Sequence, residues 1–558
     1  MALGQTSGLS AKLVTQLTGA VPRGPVAPEL AALCVPKAPT LVWLDDVDPV
    51  HSECVQLAQR LLQWAPQAKM LVTSRRALGL DAERTVRLGG LATECTADDG
   101  DNGTGRAPAV ELFLRRAQTD GDEPDLESVR EVCRLVEGLP LAVSLAAEQT
   151  ARLPVPELVP LLRHGQGWLS NPDSAVRRHR SLRAAVGSGW VLCDKAVRTV
   201  WARASIFAGP FTEASAVHMC AGGDIQPGQV PACLVNLADQ GVLDVRGEVG
   251  SVRGHRYRMT RLAREFGAER LIAQGELPAA ARRRSQRWGA LAAEAESLWD
   301  RGAQSRAVYM VLDEEDELAA MFTYARAEPV LAPVALEAAL RLWFWWVTCE
   351  RAEEGAANLL GLLSHCNGNP LLARGQWLAA WLSAHTAPDT ARTLLDAAWQ
   401  ASVLTADTAT IGRIAHVHGV LALQKDDTRA AADHFQQAAD TIPVHAPGGP
   451  PAELSRAALA LAQTDFAPTA ARRSAHHALA HAGLRDNPWV CRVARYAQAY
   501  TEYRLGHASQ AWHRAHRALA DTVGVLPAQR GSLALRRLLS AIEAGAPARL
   551  DLPTALCL

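Results

Sequence analysis

The chain has 558 residues, 48% of them apolar and 21% charged, with 57 basic side chains against 58 acidic ones. That length exceeds what one hydrophobic core serves and predicts three or four domains of ordinary soluble globular composition. The balanced charge argues against a global field that would steer nucleic acid or a membrane to the chain. The 11 cysteines form no Cys-x-x-Cys pair, which argues against a disulfide framework or a zinc site and for a reducing, cytoplasmic setting. No basic-then-apolar leader pattern and no membrane-length apolar run stand in the sequence, so a soluble protein is expected.

In chain order, Thr40-Leu-Val-Trp-Leu-Asp-Asp46 is an apolar run ending in two carboxylates. It reads as a buried parallel strand with polar residues at its carboxyl end. A helical stretch from Glu53 to Trp64 and a second apolar strand, Lys69-Met-Leu-Val-Thr-Ser-Arg75, complete one βαβ unit, whose crossover is expected to be right-handed. Val86 to Leu88 reads as a further short strand. Residues 93 to 107 contain Asp-Asp-Gly-Asp-Asn-Gly-Thr-Gly and mark a boundary loop. From Ala109 to about Leu162 the pattern is helical, broken by Gly138-Leu-Pro-Leu141. Residues 181 to 272 mix helices with a hairpin, Val242–Val245 and Tyr257–Met259, an order that suggests a winged-helix unit. From about 280 to 545 the pattern is helical throughout.

An internal repeat runs through the second half. Ala391, Ala431, Ala471 and Ala511 recur every 40 residues. Their companions at plus four and plus seven are Leu395/Ala398, Phe435/Ala438, Ala475/Ala478 and Ala515/Ala518. Positions i, i+4 and i+7 share one helical stripe, and small residues there let neighbouring helices approach closely. Gly419, Ala431, Phe435, Ala438 and Pro443 match a tetratricopeptide-like register, so an α-solenoid is expected. The fold class is therefore mainly α, with a partial N-terminal α/β nucleotide-binding domain, a winged-helix unit and a C-terminal tetratricopeptide-like solenoid. The expected domains are 1–92, 108–172, 181–272 and 280–545.

The ordered set Leu44-Asp-Asp46, Thr73-Ser-Arg75, Glu137-Gly-Leu-Pro-Leu-Ala142, Ser181-Leu-Arg-Ala-Ala-Val186, Ile206-Phe-Ala-Gly-Pro-Phe211 and Tyr257-Arg-Met-Thr-Arg-Leu-Ala-Arg-Glu-Phe266 resembles the NB-ARC type of STAND ATPase. It is similar in particular to bacterial regulators of the LuxR-type and antibiotic-regulatory (SARP) groups. Asp313–Met321 and Leu342-Trp-Phe-Trp-Trp346 extend the likeness into the helical region. The resemblance implies signal transduction through a nucleotide-switched module. Asp45 would hold Mg²⁺ through water and Asp46 would orient or deprotonate the attacking water, as oxygen ligands beside phosphates suit a hard cation. Arg75 would read the terminal phosphate through its planar guanidinium, and Thr73 would belong to the nucleotide-binding set. Pro140 would pack on adenine, and Arg261 stands near the family's nucleotide-sensing histidine.

One component of that family is missing from the sequence. Wrapping phosphates in backbone N–H groups needs Gly-x-x-x-x-Gly-Lys-Ser/Thr. The five lysines are Lys12, Lys37, Lys69, Lys195 and Lys425, and none follows Gly or precedes Ser or Thr. ATP or ADP with Mg²⁺ is thus expected only if a P-loop is supplied, and catalysis by Asp45 and Asp46 alone is not. The primary expectation is a regulatory protein whose repeats bind a protein partner or small inducer, with oligomerisation open. The alternative is an ATP/ADP-switched regulator whose P-loop lies upstream of the start. Direct DNA binding is the weakest expectation, since no C-terminal helix-turn-helix pattern follows residue 545. The basic run Arg177-Arg-His-Arg180 reads as an interdomain linker. His477/His481 and His513/His516 have ligand spacing but lack acidic companions, and read as helix-surface residues.

Overall fold

A computed structural model describes residues 41–546 apart from 65–68, 82, 95–105, 118–124, 175, 177–178, 247–254, 485–486 and 521–529. The chain divides into two compact units, residues 1–280 and 281–558.

The first unit opens with strands β1 (Leu41–Leu44) and β2 (Lys69–Val72), which pair in parallel, Leu41 opposite Lys69 and Leu44 opposite Val72. Helix α1 (His51–Trp64) connects them, because a parallel pair needs a crossover. Leu44, Val47, Cys54, Leu57 and Leu61 form the core between sheet and helix. The expectation of a strand buried on both faces is corrected. Leu41, Trp43 and Leu71 are each more than half exposed, so among the described residues the pair is covered on one face only. The expected strand at Val86–Leu88 does not form either. Both residues are highly exposed, and among the described residues no neighbouring strand pairs with them.

Four helices follow: α2 (Pro108–Arg116), α3 (Leu126–Leu135), α4 (Pro140–Glu148) and α5 (Val155–His164). They share a core that includes Phe113, Val132, Val143 and Leu158. Asp125 caps α3, accepting from the N–H groups of Glu127 and Ser128, which satisfies two donors the helix cannot use internally. Glu137 (φ 53°) and Gly138 (φ 62°) make a left-handed turn into α4. Gly138 is obligatory there, since a Cβ would lie 2.1 Å from the Leu91 carbonyl oxygen.

Next come α6 (Leu182–Leu192), α7 (Lys195–Ala204), β3 (Phe211–Thr212), α8 (Glu213–Cys220), α9 (Val230–Asp239), β4 (Leu243–Arg246), β5 (Arg256–Met259) and α10 (Arg261–Ala273). The strands form an antiparallel sheet in the order β3-β5-β4, with Leu243 opposite Met259 and Val245 opposite Tyr257. Helices α7 to α10 flank this small sheet in chain order. Trp190, Trp201 and Phe266 meet edge-on or tilted, Trp190 5.3 Å from Trp201. Arg203 forms a bidentate pair with Glu276 at 2.6 and 2.8 Å.

The second unit is a stack of antiparallel helices entered through α11 (Leu277–Asp300). Its first part comprises α12 (Gln304–Leu312), α13 (Glu315–Ala327), α14 (Ala332–Arg341), α15 (Trp343–Thr348) and α16 (Ala352–Leu363). The repeats then run as α17 (Leu372–Ser383), α18 (Pro388–Leu404), α19 (Thr408–Leu423), α20 (Thr428–Thr441), α21 (Ala452–Gln463), α22 (Pro468–Leu484), α23 (Pro488–Arg504), α24 (Ala508–Ala520) and α25 (Arg530–Glu543). Each helix packs on its chain neighbours, and α17 on α19, α21 on α23 and α23 on α25, the nearest-neighbour pattern of a solenoid. Helices α18, α20, α22 and α24 begin 40 residues apart, and all twelve stripe residues from Ala391 to Ala518 are buried on them. Gly419 lets α19 meet α20, since a Cβ there would lie 2.6 Å from the Phe435 ring.

Candidate functional site at the strand ends

The carboxyl ends of β1 and β2 open onto a cavity of ≈ 350 Å³ lined by Asp45, Asp46, Asp48, Thr73, Ser74, Arg75, Leu141, His179 and Ala185. Strand ends project side chains that regular pairing no longer constrains, so binding groups collect there. Thr73 organises this rim. Its hydroxyl donates to Asp45 Oδ1 at 2.5 Å and accepts from the Asp46 N–H at 2.9 Å. Its own N–H donates to the Leu44 carbonyl at 3.0 Å, and its carbonyl accepts from the Val47 N–H at 3.2 Å. Asp46 adopts φ 57°, a left-handed conformation costly for a residue with a Cβ. The bond to Thr73 helps hold that turn.

Asp48, 7% exposed, lines the cavity and also braces its scaffold. Its Oδ1 accepts from Ser74 Oγ at 3.0 Å and from the Arg75 N–H at 2.9 Å. The Arg75 guanidinium reaches α6, where Nη2 donates to Ser188 Oγ at 2.8 Å and to the Ala185 carbonyl at 3.3 Å. Gly189 makes room for it, since a Cβ there would lie 2.5 Å from Arg75 Nη1. Arg75 therefore ties the strand ends to helix α6.

Of the residues selected from sequence, Asp45, Asp46, Thr73 and Arg75 come together around this cavity. Pro140 does not line it. It is the exposed first residue of α4, where a missing N–H costs nothing, and Leu141 faces the cavity instead. Arg261 also lies outside the lining. Its N–H donates to Glu137 Oε2 at 2.9 Å, its Nε to Glu265 at 3.3 Å and its Nη2 to the Arg163 carbonyl at 2.6 Å.

Sequence reasoning missed Asp48, Leu141 and His179 as lining residues. His179 lies in the run read as a linker, of which Arg177 and Arg178 fall outside the described residues. Asp48 was legible as the next acid after the Asp45–Asp46 pair; Leu141 lay within the Gly138-Leu-Pro-Leu141 stretch, where Pro140 was singled out instead. The repeat-stripe residues Ala391, Leu395, Ala431, Phe435, Ala471 and Ala511 are buried between helices and offer no surface. Among the described residues no group of three metal-ligating side chains exists. The His477 and His481 rings lie 4.2 Å apart, and His513 and His516 flank Trp512. Among the described residues no helix is long and apolar enough to cross a membrane.

No family model matches the chain. It is 28% identical over 295 residues to a protein of Mycobacterium tuberculosis named "Putative HTH-type transcriptional regulator", covering 51% of this chain and 31% of that one. A Mycobacterium bovis protein of the same description matches equally. A second, uncharacterised protein of M. tuberculosis is 29% identical over 267 residues, 46% of this chain and 64% of the relative. The chain thus spans about a third of the length of the first regulators it matches. Among solved structures it is similar to a Signal Transduction ATPase with Numerous Domains (STAND) with a tetratricopeptide repeat sensor from Pyrococcus horikoshii. That match has 12% identity, 97% and 80% coverage of the two chains and a TM-score of 0.38. Over about half of its length the chain is thus similar to mycobacterial proteins described as putative HTH-type transcriptional regulators.

Proposed function

We propose that this chain is a signal-transduction or transcription-regulatory protein of STAND type whose helical repeats receive a protein partner or small inducer, beside a nucleotide module that is degenerate as it stands. The observation that carries this reading is a contrast. The repeat interior is complete, each stripe buried without a gap from Ala391 to Ala518. The strand-end cavity gathers Asp45, Asp46, Thr73 and Arg75, yet the 558 residues hold no Gly-x-x-x-x-Gly-Lys-Ser/Thr stretch. Phosphates need a cradle of N–H groups and a lysine more than they need distant carboxylates. Arg75 already spends its Nη2 on α6. The four-part division at 1–92, 108–172, 181–272 and 280–545 belongs to this reading, with the second to fourth parts carrying the regulatory work.

A second reading is favoured by the cavity itself. Its carboxylates, hydroxyl and guanidinium suit an ATP/ADP switch with Mg²⁺ near Asp45, should phosphate-binding residues be supplied to it. Complementation separates the two. In a strain lacking the gene, the regulated transcripts are expected to return with wild-type chain and with Asp45→Ala, and not with Phe435→Ala. Restoration by Phe435→Ala with failure of Asp45→Ala would reverse the assignment.

A further inference from the structure

Between α20 and α21 the repeat array departs from its own pattern. Helix α20 has 14 residues where α18 and α22 have 17, and α21 has 12 where α19 has 16 and α23 has 17. The 40-residue period survives, so about a turn of helix is given up on each side of the connection 442–451. Helices α18 and α19 are joined by 405–407 alone. The stretch Ile442-Pro-Val-His-Ala-Pro-Gly-Gly-Pro-Pro451 cannot continue a helix, because its prolines lack the N–H and its glycines favour other conformations.

An irregular loop leaves carbonyls without helix partners, and two arginines take them up. Arg413, 1% exposed, donates from Nη2 to the carbonyls of Ala446 at 2.9 Å and Pro447 at 3.0 Å. Its Nη1 donates to Gly448 at 3.3 Å and its Nε to Pro450 at 3.4 Å, and its guanidinium lies 5.4 Å from the Trp377 ring. Arg374 Nη2 adds a bond to the Gly448 carbonyl at 3.2 Å. Glycine permits this approach: Gly448 has φ 73°, and a Cβ on Gly449 would lie 2.6 Å from Arg413 Cζ. Ile442 and Ala446 pack with Ala415, Ala438 and Ala452. Gly448, Gly449 and Pro450 are thus buried, while Pro443, Val444, His445 and Pro447 are exposed, Val444 at 60%. The Ala446 N–H donates to the Pro443 carbonyl at 3.2 Å and closes the outer half as a turn with Val444 and His445 at its corners.

Burying a guanidinium is costly unless its donors are used, and Arg413 uses them on this loop. The connection 405–407 makes the same step between repeats without such a loop, so stacking the helices does not require it. Compact loops on a rigid scaffold present binding groups, and one already fixed loses little entropy when bound. We propose that the turn Pro443–Pro447 is the point at which a partner protein docks on the repeats, with Arg413 and Arg374 as the positioning residues that hold it in shape. The turn defines the partner's chemistry: an apolar pocket for Val444, apolar walls for Pro443 and Pro447, and a carboxylate to accept from the His445 imidazole. An exposed turn encloses nothing, so it suits the pocket of a protein and not a small inducer. The inference rests on the reading that the repeats receive a partner.

Complementation of the strain lacking the gene tests the docking point. Val444→Asp is expected to reduce the regulated response at least tenfold with its thermal unfolding unchanged. Leu404→Asp, at an 87% exposed apolar position on the end of α18, is expected to restore the response in full. Equal outcomes for the two variants would overturn the docking point. If Phe435→Ala fails while Val444→Asp restores, the loop is removed and the regulatory reading stands; restoration by Phe435→Ala removes that reading itself. Hydrogen exchange on the full chain tests the anchor. In Arg413→Met the amides of Val444, His445, Gly448 and Gly449 are expected to exchange at least tenfold faster than in wild type, while α20 keeps its protection. Unchanged exchange in the loop, or equal loss of protection in α20, would overturn the positioning role.

Discussion

Thr73 sets the chemistry of the strand ends through one hydroxyl, which donates to Asp45 and accepts from Asp46. Arg75, two residues on, sets the mechanics. Its guanidinium bonds to Ser188 and Ala185 are of the charge-assisted kind, worth about 1.5–3 kcal/mol where water is kept away. Arg75→Ala is therefore expected to destabilise the first unit by about 1–2 kcal/mol in urea unfolding, the lower range reflecting partial exposure. Arg75→Lys recovers little of this, because a point charge cannot span both acceptors. Retention of full stability in Arg75→Ala would remove the tie to α6.

Two buried titratable groups in the second unit give opposite pH signatures. His416 is buried and bonded to Ser455 at 3.0 Å, and burial holds its pKa down to about 3. The unfolded chain takes up this proton below about pH 6.5 while the folded chain resists, so stability falls as pH drops from 6.5 toward 3. Glu296 is pushed up to about 7, by burial first and then by Asp300, against Arg341, Arg374 and Arg413. Here the unfolded state ionises first, so stability falls as pH rises from about 4.5 to 7 and then levels. Glu296→Gln is expected to be more stable than wild type at pH 8 and equal to it near pH 4. Thermal unfolding across pH 4 to 8 reads both effects, and a Glu296→Gln advantage confined to acid pH would invert the account.

At the scale of elements, the repeat helices were the most legible part of the sequence. A 40-residue period with small residues at i, i+4 and i+7 fixes which stripe is buried, and α18, α20, α22 and α24 bury it. Phe435 is the one large residue among those α20 positions, and its ring lies against Gly419 and His416. Phe435→Ala is expected to cost about 3–5 kcal/mol, and Gly419→Ala about 1–3 kcal/mol from overpacking. Chemical denaturation of the full chain, followed by circular dichroism, measures both. A cost below 1 kcal/mol for Phe435→Ala would contradict the packing described. The βαβ unit was legible for a similar reason, as two apolar runs of strand length flank a helical period. The exposure of Leu41, Trp43 and Leu71 was not, because a continuous apolar run reads the same whether one face or two are covered. Val86–Leu88 failed because β-branched and apolar residues alone do not supply a pairing partner.

At the scale of the molecule, the strand-end cavity was legible only in part. Asp45, Asp46, Thr73 and Arg75 lie at the ends of strands that periodicity locates. Leu141 and His179 reach the same cavity from segments about 70 and 100 residues further along, and single-sequence spacing carries no signal for such meetings. Pro140 and Arg261 show the converse. Resemblance singled them out, but α4 presents Leu141 to the cavity and Arg261 bonds to Glu137, Glu265 and Arg163 instead. The contact between Trp299 and Trp489 was equally invisible, since a tryptophan in an apolar helix signals burial and not its partner.

The central claim is that the chain, as it stands, works through its repeats and not through bound nucleotide. Calorimetric titration of Mg²⁺-ATP and Mg²⁺-ADP into the full 558-residue chain tests it most directly. The account predicts no saturable heat, with any dissociation constant weaker than about 1 mM, an interaction worth no more than about 4 kcal/mol. Saturable micromolar binding that disappears with Asp45→Ala would contradict it.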